Sequence, residues 1–194
     1  MDNKLLKYFS KIGSLSEDEI KAIDETMTIQ HYKKGTALLK EGQSSAEVYF
    51  VLEGMVRQYY LVDGKEKTSD FFSEEQWVLS INSLTHRIPS NHYLECCMDC
   101  KLVVGNSQKG EYIYKKFPKL ETISRKLMER VITEQQEKME AYIIDTPKLR
   151  YLKLLKYRPD LFQRIPQYQV ASYIGVTPES LSRIRKRLSQ KTNS

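Results

Sequence analysis

Apolar positions change their period several times along the chain. Near the amino terminus Leu5, Leu6, Tyr8, Phe9 and Ile12 fall at helical spacing. Ser16-Glu17-Asp18-Glu19 then offers a hydroxyl cap followed by acids over a first turn. Short amphipathic helices are predicted there. From about Thr28 the period shortens. Tyr32-Lys33-Lys34-Gly35 reads as a strand end and turn, and Glu41-Gly42-Gln43-Ser44-Ser45 as a loop. Val48-Tyr49-Phe50-Val51-Leu52 is an apolar run of strand formers closed by Glu53-Gly54, and Val56 to Val62 follows as a second strand. Asp63-Gly64 is a hairpin turn, and Tyr93–Cys97 and Leu102–Val104 flank another short turn. Short strands at close spacing predict an antiparallel barrel or jelly roll.

After Pro118 the spacing returns to three and four residues through Leu120, Ile123, Leu127, Val131, Met139 and Tyr142. One helix of roughly 25 residues is expected, its stripe interrupted by Glu134-Gln135 as coiled-coil seams often are. Those six positions are either a homodimer seam, the favoured reading, or the inner face of a helix packed on its own domain. Thr146-Pro147 restarts a helix with Leu149, Leu152 and Leu155 as its buried face, until Arg158-Pro159-Asp160 breaks it. Pro166 opens a further helix that reaches about Ile174, with Val170, Ala171 and Ile174 inward. Gly175 supplies the reversal, and Thr177-Pro178-Glu179 starts the next helix. The pattern is that of a helix-turn-helix. The expected organisation is an α+β chain with a barrel domain over 1–117, a dimerisation helix over 118–144 and a DNA-binding domain over 145–194.

At about 100° per residue, Leu181, Ile184 and Leu188 share one side of the last helix, with Glu179, Arg183, Lys186 and Gln190 roughly opposite and Ser182 beside them. Arginine can pair with guanine O6 and N7 in a major groove, and glutamate can accept from cytosine N4. Glu179, Ser182 and Arg183 are the candidate base-reading residues. Gln167, Thr177, Arg185, Lys186, Arg187 and Lys191 are candidates for phosphate contacts. The competing reading is a charged solvent face on a helical bundle.

Charge sharpens that choice. The chain has 194 residues and a formal net charge of +6. From Asp145 onward there are 11 Lys and Arg against 3 Asp and Glu, while the preceding residues carry 20 against 22. A basic final third on a near-neutral body points to a polyanion, here double-stranded DNA. Cys96, Cys97 and Cys100 are an odd set in one stretch, which argues against a secreted disulfide framework. Cys96 and Cys97 alternate across a strand, which argues against one tetrahedral metal site. His31, His86 and His92 lack ligand spacing and read as surface residues. With neither an apolar leader nor a membrane-length segment visible, a soluble cytoplasmic protein is expected. No clustered nucleophile and base suggests an enzyme.

These features together resemble the Crp/Fnr family of bacterial transcription regulators. Tyr32-Lys33-Lys34-Gly35, Glu41-Gly42 and Val48 through Gly54 followed by Val56-Arg57 are similar to the family's cyclic-nucleotide-binding-type barrel. The long helix resembles its dimerisation helix. Ile165 through Ile184 resembles its winged helix-turn-helix, with any wing short or lying before the last helix. Glu179, Ser182 and Arg183 coincide with the Glu-x-x-Ser-Arg pattern with which the Fnr branch reads a TTGA-like half-site. Pro178 stands where the Crp branch has a further base-contacting arginine. The resemblance implies a homodimer on DNA, with RNA polymerase as a candidate further partner. It also locates an effector pocket around Trp77, Ser80, Arg87 and Ser90. There Trp77-Val78-Leu79-Ser80 lacks the family's ribose-binding Gly-Glu pair, and its phosphate-binding Arg falls near Ser90-Asn91, which argues against cyclic AMP. The amino terminus also lacks the cysteines of iron–sulfur sensors, so no cofactor is expected. A small-molecule sensor whose barrel ligand controls DNA binding is the alternative function.

Overall fold

A computed structural model describes residues 2–192, apart from the side chains of residues 3, 107–109, 111, 191 and 192. The chain divides into two compact units, one of Met1–Gln58 with Phe71–Thr133 and the other of Tyr59–Asp70 with Glu134–Ser194.

The first unit begins with helices α1 (Asn3–Ser10) and α2 (Glu17–Thr26). The predicted start of α2 is a reciprocal cap: Ser16 Oγ accepts from Glu19 N at 3.3 Å, and the Glu19 carboxylate accepts from Ser16 N at 2.7 Å. Strands β1 (Met27–Tyr32), β2 (Ala37–Leu39), β3 (Glu47–Glu53), β4 (Val56–Val62), β5 (Lys65–Phe72) and β6 (Trp77–Val78) follow. Helix α3 (Ile81–His86) precedes β7 (Tyr93–Cys96) and β8 (Cys100–Asn106). The strands form two four-stranded sheets, ordered β1-β8-β3-β6 and β2-β7-β4-β5, which is the two-sheet arrangement of the expected jelly roll rather than a closed barrel.

The β3 run is apolar throughout because the first sheet is covered on both sides. Alternate residues go opposite ways. Phe50 and Leu52 of β3, Val103 of β8 and Trp77 of β6 pack with Leu5, Tyr8 and Phe9 of α1 and Ile23 of α2. Tyr49, Val51, Leu102, Val104 and Val78 join Leu39, Leu94 and Cys96 in a second cluster. Antiparallel register sets Phe50 opposite both Val103 and Trp77. Helices α4 (Ser107–Lys116) and α5 (Pro118–Ile144) complete the first cluster through Ile113, Leu120 and Ile123.

The second unit contains the last turns of α5, the hairpin of β4 and β5, and helices α6 (Pro147–Tyr157), α7 (Leu161–Arg164), α8 (Gln167–Tyr173) and α9 (Pro178–Thr192). Asp63 and Gly64 both have positive φ, 51° and 71°, as a two-residue hairpin turn requires. Among the described residues no strand follows α5, so the wing does not form there, and α7 occupies the segment before α8.

The structure corrects three readings of side-chain placement. Leu149, Leu152 and Leu155 are exposed, and Tyr151 and Leu154 are the buried residues of α6. Apolar residues occur on all sides of that helix, so period alone cannot choose a face. The Tyr151 ring packs edge-on against Phe162 at 5.4 Å, and that contact fixes the rotation. His92 is buried rather than at the surface. Trp77 does not line the space between the sheets but packs on Phe50 at 5.1 Å, on the helix-covered side.

Phe50 is fully buried at the centre of this packing. Phe50→Ala is expected to destabilise the first unit by about 3–5 kcal/mol. Urea unfolding followed by Trp77 fluorescence measures it.

Candidate nucleic-acid interface

The interface candidate is built on α8 and α9. Val170, Ala171 and Ile174 of the α8 segment and Leu181 of α9 are all at most 2% exposed. The chain reverses between them at Gly175, whose φ of +74° lies in the left-handed region. Gly175 N donates to Ser172 O at 3.0 Å and Val176 N to Ala171 O at 2.9 Å, which closes the end of α8. Thr177 then caps α9, its Oγ1 accepting from Ser180 N at 3.3 Å.

Burying Leu181 turns the opposite side of α9 outward. Glu179, Ser182 and Arg183 are all exposed, as are Arg185, Lys186 and Arg187. Ile184 and Leu188 are half-buried. Gln167, the first residue of α8, and Thr177 are exposed as well, while the Lys191 side chain lies outside the described residues. Arg183 Nη2 donates to Ser180 Oγ at 2.9 Å, so the guanidinium is steadied while its other donors stay available. A hydrogen bond from Thr177, a backbone N–H at the helix start and the nearby Arg183 charge hold the Glu179 carboxyl below the usual carboxylate range. It is therefore an anion at neutral pH and accepts hydrogen bonds only. The face combines one fixed acceptor, one hydroxyl and a fork of donors with cations beside it.

The second unit fixes this element with groups that helical period does not reveal. Arg150 donates through Nη1 to Tyr142 O at 2.7 Å and Asp145 O at 2.8 Å, and through Nε to Ile174 O at 2.9 Å. Its guanidinium also lies over the Tyr142 ring, 4.3 Å from the centroid. One side chain thus ties the end of α5 to the helix-turn-helix reversal. Ser172 Oγ accepts from Thr68 N at 2.9 Å and donates to Glu66 O at 3.2 Å, joining α8 to the hairpin. Asp70 of the hairpin is buried and accepts from Lys138 Nζ at 2.6 Å and Gln135 Nε2 at 3.0 Å. Burial and the Asp70 charge push the neighbouring Tyr173 hydroxyl up to about 12, so it stays protonated. The sequence signal for Gln135 was the polar break in the α5 stripe. Arg150 and Ser172 gave none.

The six seam candidates on α5 are divided by the structure. Leu120 and Ile123 are buried in the first unit's own core, and Leu127 and Val131 pack against it. Tyr142 is taken up by Arg150, while Met139 is 66% exposed. The exposed apolar residues of α5 are Ile132, Met139, Ile143 and Ile144 with part of Tyr142. Ile132, Gln136, Met139 and Ile143 follow a four-three-four spacing.

The effector-pocket candidates have different surroundings. Trp77 faces the helices, and Ser80 is buried. Ser90 Oγ donates to His92 O at 2.9 Å and accepts from His92 N at 3.2 Å. Arg87 is exposed at the end of α3. Cys96 and Cys100 are buried and Cys97 is half-buried. Burial raises the Cys97 thiol to about 12, leaving it protonated at neutral pH. Among the described residues no group of three or more His, Cys, Asp and Glu is placed to hold a metal ion. No helix of the described residues is long and apolar enough to cross a membrane.

Residues 29–116 match the family profile of the cyclic nucleotide-binding domain. Over 76 residues the chain is 29% identical to the HTH-type transcriptional regulator ArcR of Staphylococcus aureus (strain Newman). That alignment covers 39% of this chain and spans only 32% of the relative's length. Among solved structures, a regulator from Eubacterium rectale assigned to the Crp/Fnr family superposes with a TM-score of 0.72 at 19% identity, covering 95% of this chain and 88% of that one. The c-di-GMP responsive global regulator CLP of Xanthomonas campestris gives 0.69 at 15% identity, covering 89% and 91%. FixK2 of Bradyrhizobium japonicum gives 0.67 at 18%, covering 86% of each chain. The chain therefore shares the fold of these solved structures, and its residues 29–116 match the cyclic nucleotide-binding domain. Of these neighbours, the Eubacterium rectale protein and CLP are regulators.

At Gly175 an added Cβ would adopt a strained φ and collide with the Tyr142 hydroxyl. Gly175→Ala is expected to cost about 1–2 kcal/mol, and Gly175→Asn less, because asparagine tolerates the left-handed region better. Thermal unfolding of the two variants side by side checks the order.

Proposed function

We propose that this chain is a homodimeric, sequence-specific DNA-binding transcription regulator acting in the cytoplasm and not an enzyme. The observation that carries the reading is the α9 surface opposite buried Leu181, where Glu179, Ser182 and Arg183 are all exposed. In this reading α9 enters a major groove. Arg183 donates to guanine, Glu179 accepts from cytosine, and Ser182 bonds a neighbouring base edge. Arg185, Lys186, Arg187 and Lys191 meet phosphates, with Gln167 and Thr177 donating at the starts of α8 and α9. Two copies of α9 about one helical turn apart would read a near-palindromic site. RNA polymerase is a candidate partner of the bound dimer.

The dimer seam proposed is the exposed α5 stripe of Ile132, Gln136, Met139 and Ile143. It replaces Leu120, Ile123, Leu127 and Val131, which the protomer's own core uses. Cyclic AMP is not proposed as the effector. A buried cyclic phosphate needs a cation or several N–H donors. The 77–92 segment offers an exposed Arg87, and the Ser90 hydroxyl is already engaged by His92.

Selection from a random DNA pool at fixed moderate salt tests the assignment. Arg183→Ala should relax preference at one base position, at a cost of about 1–3 kcal/mol on the selected site. Arg185→Ala should weaken all sequences alike and lower the salt slope by about one. Equal effects of both variants on every sequence would refute the assigned roles.

Met139→Glu places a charge in the proposed seam. It should raise the dimer dissociation constant ~100-fold or more without loss of helix. Sedimentation equilibrium read beside far-UV circular dichroism checks this.

A further inference from the structure

The helix-covered side of the first sheet holds a cavity of about 150 Å³ that the DNA-binding reading does not use. Trp77 and Leu84 line it together with Ile123, Leu127 and Met128 of α5. All of these residues belong to the first unit. The cluster of Leu39, Val51 and Leu94 lies apart from it, and none of its buried residues lines the cavity.

Three observations define what the cavity would accept. Its volume is close to that of apolar protein cavities that take up one benzene-sized ring. Among the described residues none that lines it is charged, so a phosphate or carboxylate entering it would meet no cation there to offset its lost hydration. Trp77 is 94% buried by its 6% exposure, and its Nε1 has no hydrogen-bond partner among the described residues. A buried N–H left in that state costs stability that an acceptor on a guest would recover. Tyr114 Oη already donates to Ser124 Oγ at 2.8 Å, so that pair of lining hydroxyls is engaged internally.

We propose that this cavity is a binding site for a small, neutral, monocyclic aromatic molecule bearing one hydrogen-bond acceptor, with Trp77 Nε1 donating to it. The guest touches Ile123, Leu127 and Met128, so its occupancy is felt by the first half of α5. The site stands on the first unit alone, whether or not α9 binds DNA.

Trp77 is the chain's single tryptophan, which makes the test direct. The full chain is titrated at pH 7 with 4-iodophenol, whose heavy atom quenches a tryptophan it contacts. Saturable quenching that phenol reverses by competition is expected. Iodobenzene, lacking the acceptor, should bind about fivefold more weakly. The anion 4-iodobenzoate should give no saturable phase. Leu127→Phe, which fills the cavity from α5, should abolish the saturable phase with its circular dichroism unchanged. Leu84→Phe fills it from the other side should the first variant not fold. Linear collisional quenching by 4-iodophenol would overturn the proposal. So would equal saturation by 4-iodobenzoate, or saturation that survives a folded cavity-filling variant.

Discussion

Leu181 of α9 is buried against the α8 segment beside Val170, Ala171 and Ile174, and that burial sets the rotation of the last helix about its own axis. Burying a leucine side chain contributes about 1.5–3 kcal/mol. Half a turn of rotation would forfeit this and also press Glu179 and Arg183 toward the α8 packing, where each charge would need a new partner. The two terms act in the same direction. The presentation of the cationic face is therefore a consequence of the apolar one. The Thr177 cap and the Gly175 reversal set the axial position, and Leu181 sets the angle.

The same logic appears in the first unit with strand geometry in place of helical. Because β3 and β8 are covered on both sides, successive residues serve different cores: Phe50 and Val103 meet helices, while Tyr49, Val51, Leu102 and Val104 meet the opposite sheet. Trp77 follows Phe50 because the two are register partners. A tryptophan placed next to the expected effector segment thereby becomes a structural residue of the helix-facing core, and its indole N–H is carried into an apolar neighbourhood.

Within the second unit, polar side chains complete what apolar packing begins. Arg150 satisfies three carbonyls at the junction of α5 and the helix-turn-helix, groups that helix ends leave without intrahelical donors. Ser172 does the corresponding work between α8 and the backbone of the β4–β5 hairpin. Buried Asp70 is neutralised by Lys138 and hydrogen-bonded by Gln135. The polar interruption of the α5 stripe is thus a bond donated within the protomer.

Local chemistry alone determined a good deal. The α2 capping box, the Asp63-Gly64 hairpin, the Thr177-Pro178 helix start and the Gly175 turn are each decided by a few neighbouring residues, so each could be read before any contact was known. The alternation in β3 and the stripe through Leu181 were legible for the same reason, since period follows from backbone geometry. Tertiary packing decided which face of a helix apolar on every side is buried. It buried Tyr151 and Leu154 while leaving Leu149, Leu152 and Leu155 exposed, and it drew Leu120 and Ile123 into the protomer's own core. It also brought Arg150 to carbonyls up to 24 residues away and Ser172 to Thr68, 104 residues away. Periodicity reports that a face is apolar, but only the element packed against it determines what that face meets.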